Sequence, residues 1–172
     1  MKNLQALLLL TGLLLTHPTL SAQESASQHP VGITATVQDG QLGFLVPIWV
    51  TDQFSIAPAL SMSIASSIGG EYGIGIVPRY YLRREKVSPF VGLRAAALLF
   101  RSNIGGAIDS INTTDIVVGG TFGADYFFDQ QFAVGIELQG NLTFSDENSL
   151  RFNNPGQTNF NTASAIFISI YF

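Results

Sequence analysis

No cysteine occurs among the 172 residues. That excludes disulfides, thiolate metal sites, a cysteine nucleophile and a lipid anchor carried on cysteine. Histidine is almost as scarce: His17 and His29 both precede the body of the chain. A serine nucleophile there would find no imidazole to take its proton, and a metal centre built on histidine is excluded with it. No catalytic residue, cofactor or metal is therefore assigned, and the chain is not expected to be an enzyme. Charged residues make up 12% of the whole, about half the usual ~25% of soluble domains. A net charge of −4 with no basic cluster gives nothing to neutralise phosphates, so no nucleic-acid partner is expected.

Long apolar runs are missing too, save one at the start. Lys2 is followed by a run from Leu4 to Leu15, then by THPTLSA with small residues at Ser21 and Ala22. The run is too short for a membrane-spanning helix and reads as a secretory signal over residues 1–22. A polar leader covers 23–30. If the remainder, 31–172, enters a membrane, it must do so as strands.

Strands are what the remainder contains. FAVGIELQGNLTF, residues 132–144, sets Phe132, Val134, Ile136, Leu138, Leu142 and Phe144 on one face. Gly135, Glu137, Gln139, Asn141 and Thr143 fall on the other, and a period of two argues a β-strand. The same rule predicts strands over 31–38, 42–50, 54–66, 72–82, 89–101, 115–128, 132–145 and 163–172. Asp39-Gly40 is a hairpin signal between the first two. Connections at 51–53, 83–88 and 129–131 are short, whereas those at 67–71, 102–114 and 146–162 are longer and rich in Asn, Ser and Gly. Eight strands so connected predict an all-β, up-and-down antiparallel transmembrane barrel.

Which face meets the outside follows from the polar positions. A solvent face carries about 25–35% Lys, Arg, Glu and Asp. Here it carries mostly Gly, Ala, Ser and Thr. Arg79, Arg94, Asp125 and Glu137 are the charges of the strand interiors, and each falls opposite its strand's apolar stripe. An arginine facing lipid at mid-membrane costs about 2–4 kcal/mol, which accounts for the bias. The apolar stripes therefore face outward. Trp49, Phe54, Tyr80, Tyr81, Phe90, Tyr126, Phe127, Phe128, Phe132, Tyr171 and Phe172 gather near the short-turn ends. They are expected to form the aromatic belt of a membrane interface.

The mature chain resembles the small eight-stranded outer-membrane barrels, the group that contains OmpX and the transmembrane domain of OmpA. The terminal AIFISIYF resembles their assembly signal, with Ile168, Ile170 and Phe172 at the matching positions and Phe167 where glycine is common. The resemblance implies a Gram-negative outer membrane, termini in the periplasm and long loops outside. It also implies contact with membrane lipid and lipopolysaccharide, and with the barrel-assembly machinery during biogenesis. A monomer is expected.

Other motifs carry less. GGEYGIG (69–75) and GGTFG (119–123) lack the phosphate-loop pattern and read as close backbone approach within strands. Ser61, Ser63 and Ser169 read as lumen hydroxyls. Asp109, Asp115, Asp146 and Glu147 lack calcium-loop spacing and read as solvated loop charge. The four interior charges are expected to form a lumen ion-pair network, with Glu137 as the direct partner of Arg94. The functional expectation is a non-enzymatic structural or surface-interaction protein; the alternative is a narrow conduit for small or apolar solutes.

Overall fold

The computed structural model describes residues 29–38, 40–65, 69–102, 112–149 and 151–172. The signal segment 1–22 with His17, most of the leader 23–30, Asp39 and Asp109 lie outside the described residues. The strands are β1 (Gly32–Gln38), β2 (Gln41–Leu45), β3 (Ile48–Trp49), β4 (Phe54–Ala65), β5 (Gly69–Tyr81), β6 (Val87–Ser102), β7 (Asn112–Phe127), β8 (Phe132–Phe144) and β9 (Thr158–Tyr171). β2 and β3 are two halves of one stave. Pro47, which has no N–H to give to a ladder, interrupts it. The backbone bridges the gap through Val46 N to Pro58 O at 3.0 Å and Gly32 N to Pro47 O at 2.9 Å.

Every pairing is antiparallel. The order runs β2–β1–β9–β8–β7–β6–β5–β4–β3, and a further β2–β4 pairing closes the ring. Among the described residues this is a closed barrel of eight staves, and β9 seals it against β1 with Gly32 opposite Tyr171. Closure leaves no unpaired sheet edge, which is the condition for strands to sit in lipid.

The alternation sorts side chains as expected. On β8, Ile136 is 62% exposed while its neighbours Glu137 and Gly135 are buried. Leu60, Ile74, Leu93, Phe122, Ile166 and Ile168 continue the outward apolar surface round the ring. Strand ends differ from the expectation on the long-loop side. β9 begins at Thr158 rather than 163, with Phe144 paired to Thr158, and β5 and β7 also start earlier. Apart from Phe160, these extensions carry Gly, Thr, Asn and Glu, so no apolar alternation marks them in the sequence.

Candidate functional site

The barrel interior divides into three layers. The layer nearest the short turns is aromatic. Tyr81, Phe90, Phe127, Phe167 and Tyr171 are buried there, with Trp49 packed against them. Neighbouring rings lie 4.7 to 6.3 Å apart between centroids, from Trp49 to Tyr81 and on to Phe90 and Phe167. Arg84, in the turn after β5, stacks over Trp49 at 3.8 Å, and burial there pulls its pKa down.

This corrects the expected belt. Trp49, Tyr81, Phe90, Phe127 and Tyr171 point into the lumen. Tyr80, Tyr126, Phe128 and Phe172 are exposed on the outer surface. Period two demands the split, since adjacent residues such as Tyr80 and Tyr81 must face opposite ways. Parity was the available signal: Tyr81 shares a face with Arg79, and Phe90 shares one with Arg94.

Two glycines make room for the plug. A Cβ on Gly135 would lie 2.2 Å from Phe167 Cζ, its cross-strand partner's ring, and one on Gly123 would lie 2.2 Å from the Ile136 carbonyl oxygen and 2.6 Å from Phe90 Cζ. Any side chain at Gly135 or Gly123 would have to displace one of the two rings that flank Arg79.

The middle layer holds the four charges. Arg79 donates to Glu137 Oε2 at 2.6 Å, and its guanidinium carbon lies 4.5 Å from the Phe90 ring centre and 4.8 Å from that of Phe167. Asp125 accepts from the Tyr81 hydroxyl at 2.8 Å. Gln139 donates to Glu137 Oε1 at 2.7 Å, while Arg94 donates to the amide oxygen of Gln139. The expected direct pair of Glu137 with Arg94 is therefore not formed; Glu137 pairs with Arg79, and Gln139 stands between Glu137 and Arg94.

Barrel stagger is the reason. Counted from the turns, Arg94 and Glu137 have similar heights. Along the ladder, however, Glu137 is level with Gly123, Phe90 and Tyr81. Arg79 lies two residues from Tyr81, whereas Arg94 lies four from Phe90, roughly 13 Å along the strand. Gln139, two residues from Glu137 on the same face, was the residue missed.

The outer layer comes from the loop after β8. Asp115, buried on β7, accepts from Asp146 N at 2.9 Å, Ser149 Oγ at 2.9 Å and Arg151 Nε at 2.8 Å. Arg151 also pairs with Glu71 on β5, which accepts from Gln41 at 2.6 Å. Asp115 is thus not a solvated loop charge as expected, but the post on which this loop is tied. Among the described residues no group of three or more carboxylates or imidazoles is gathered that could hold a metal ion. Ser169 bonds Thr34 at 2.7 Å, and Ser61 lines the space between the middle and outer layers. That space is a cavity of about 350 Å³, running from Arg79 and Arg94 to Arg151 and Phe152.

A closed eight-stranded antiparallel barrel, apolar outside and polar within, is the class these features define. It is the fold that the resemblance implied. In three dimensions the chain is similar to the N-terminal β-barrel domain of Pseudomonas aeruginosa OprF. The TM-score is 0.56 at 13% identity, over 83% of this chain and 95% of that one. It is equally similar to Neisserial surface protein A, with a TM-score of 0.57 at 13% identity, covering 83% of this chain and 93% of that one. The likeness is one of fold. No protein-family model and no curated protein matches the sequence.

Proposed function

We propose that the chain is a non-enzymatic outer-membrane protein, delivered through a signal segment at 1–22, with a structural or surface-interaction role. The observation that carries this reading is the inverted barrel. Leu, Ile, Val and Phe side chains are exposed round the ring, while Arg79, Asp125 and Glu137 are buried inside it. A hydrocarbon surrounding favours that arrangement, by about 25 cal/mol per Å² of apolar surface removed from water. The fold shared with OprF's barrel domain and with Neisserial surface protein A is consistent with it. Its partners would be membrane lipid and lipopolysaccharide along the wall, the assembly machinery during insertion, and a surface ligand at the long loops.

The aromatic plug weighs against the conduit reading. An eight-stranded interior is only wide enough for side chains to fill, and here six rings, five buried and Trp49 partly buried, fill it. Reconstituted into planar bilayers, the purified protein is expected to show no unitary conductance. Steady channel openings would replace the wall reading with the conduit.

A further inference from the structure

We propose that the lumen cavity above Arg94 is a binding site for a small monocarboxylate. The cavity, about 350 Å³, lies within the roughly 300–1,000 Å³ of small-molecule sites. Its two sides are chemically unlike. Gly43, Ala59, Gly73, Gly75 and Ala96 give one side a wall of backbone and methyl groups, broken by the Ser61 hydroxyl between Gly43 and Gly73. Gln139, Asn141, Thr143 and Asn161 give the other a row of amides and hydroxyls. A flat apolar body with one polar edge fits between them.

Charge selects the ligand's polar end. Glu137 is matched by Arg79, Asp125 is held by the Tyr81 hydroxyl, and Glu71 and Asp115 are both turned onto Arg151 at the mouth. Arg94 has an amide for its hydrogen-bond partner and, among the described residues, no carboxylate at ion-pair distance. A guanidinium carries five N–H donors, and the bond to Gln139 occupies one nitrogen. Arg94 is partly buried and lines the cavity, so a ligand there can reach its remaining donors. The mouth does not neutralise it. Glu71 is opposite Phe100, six residues beyond Arg94 and ~20 Å along the strand.

The nearest carboxylate that Arg94 reaches through hydrogen bonds, Glu137, lies behind Gln139, so a ligand carboxylate in the cavity would give its guanidinium the two parallel acceptors it lacks in direct contact. A dianion such as phosphate fits less well, because Glu137 stands one side chain away beyond Gln139. The site would exist whatever the outer loops contact. It goes beyond the wall role rather than resting on it.

The probe is 4-fluorobenzoate, followed by fluorine NMR against protein purified from membranes in an uncharged maltoside detergent. Saturable binding is expected, with neutral 4-fluorobenzamide and cationic 4-fluorobenzylammonium each about tenfold or more weaker. Arg94→Gln should cost at least about tenfold in affinity, while Arg94→Lys retains part of it. Ala96→Leu, which leaves the charge and fills the cavity, should also lose binding; each variant's folding is checked by its heat-modifiable gel mobility. No saturable binding of benzoate would overturn the site. So would equal affinity for the amide or ammonium, or binding that survives in both Arg94→Gln and Ala96→Leu.

Discussion

Arg79 shows how a charge is kept inside a narrow barrel. It has one carboxylate, Glu137, and two ring faces, Phe90 and Phe167, with the rings admitted by Gly123 and Gly135. Guanidinium is planar and weakly hydrated, so aromatic faces replace part of its water at less cost than they would for lysine. Breaking a buried pair leaves the survivor uncompensated, which costs about 3–5 kcal/mol, whereas replacing both by apolar groups can be nearly neutral. Glu137→Gln and Arg79→Met should therefore each lower stability in urea titrations by an amount of that order, with the double variant recovering part of the loss. The corresponding cycle between Arg94 and Glu137 should show weaker coupling, because Gln139 lies between them. Additive losses for Arg79 and Glu137 would mean that they do not interact. The inward facing of all four charges was legible from strand parity alone. Who pairs with whom was not, because pairing depends on the stagger between strands, and no single strand's sequence carries that.

At the scale of elements, regular alternation was readable and the outer loop was not. β8 reads correctly from FAVGIELQGNLTF because each residue's face is set by its neighbour's. Arg151 ties the loop to partners 36 and 80 residues away, Asp115 and Glu71, and nothing local marks it among other loop polar residues. Within the tie, Phe152 and Asn153 adopt left-handed backbone at φ 58° and 51°. Such conformations cost about 1–3 kcal/mol each for a bulky residue and persist where surroundings enforce them. The Arg151 contacts to Asp115 and Glu71 lie immediately before these two residues. Charge-assisted hydrogen bonds contribute about 1.5–3 kcal/mol each, so Arg151→Ala should loosen the loop by more than tenfold. The expected readout is faster hydrogen exchange at the amides of Ser149 and Gly156, both bonded to Asp146 O, with β8 amides unchanged. Unchanged exchange at those two amides would show that Arg151 does not hold the loop.

At the scale of the whole molecule, the seam between β9 and β1 completes the barrel, and Phe172 sits at its end. The residue makes one backbone bond across the seam, Phe172 N to Val31 O at 2.9 Å, and its ring is exposed on the outer wall in line with Ile168 and Ile170. Phe167, by contrast, turns inward onto Arg79, which is why aromatic rather than glycine stands there. Removing Phe172 therefore takes little from the folded barrel: about 0.5–1.5 kcal/mol for the bond, and a ring that covers no core. A role in recognition by the assembly machinery would make the loss in cells far larger than the loss in stability. Deleting Phe172 should leave refolding into detergent nearly unchanged. In cells the same deletion should reduce the heat-modifiable, folded form in the outer-membrane fraction several-fold. If folded protein in that fraction stays at the unaltered level, Phe172 carries no assembly signal. If refolding in detergent fails to the same degree as assembly in cells, the residue acts through barrel stability instead.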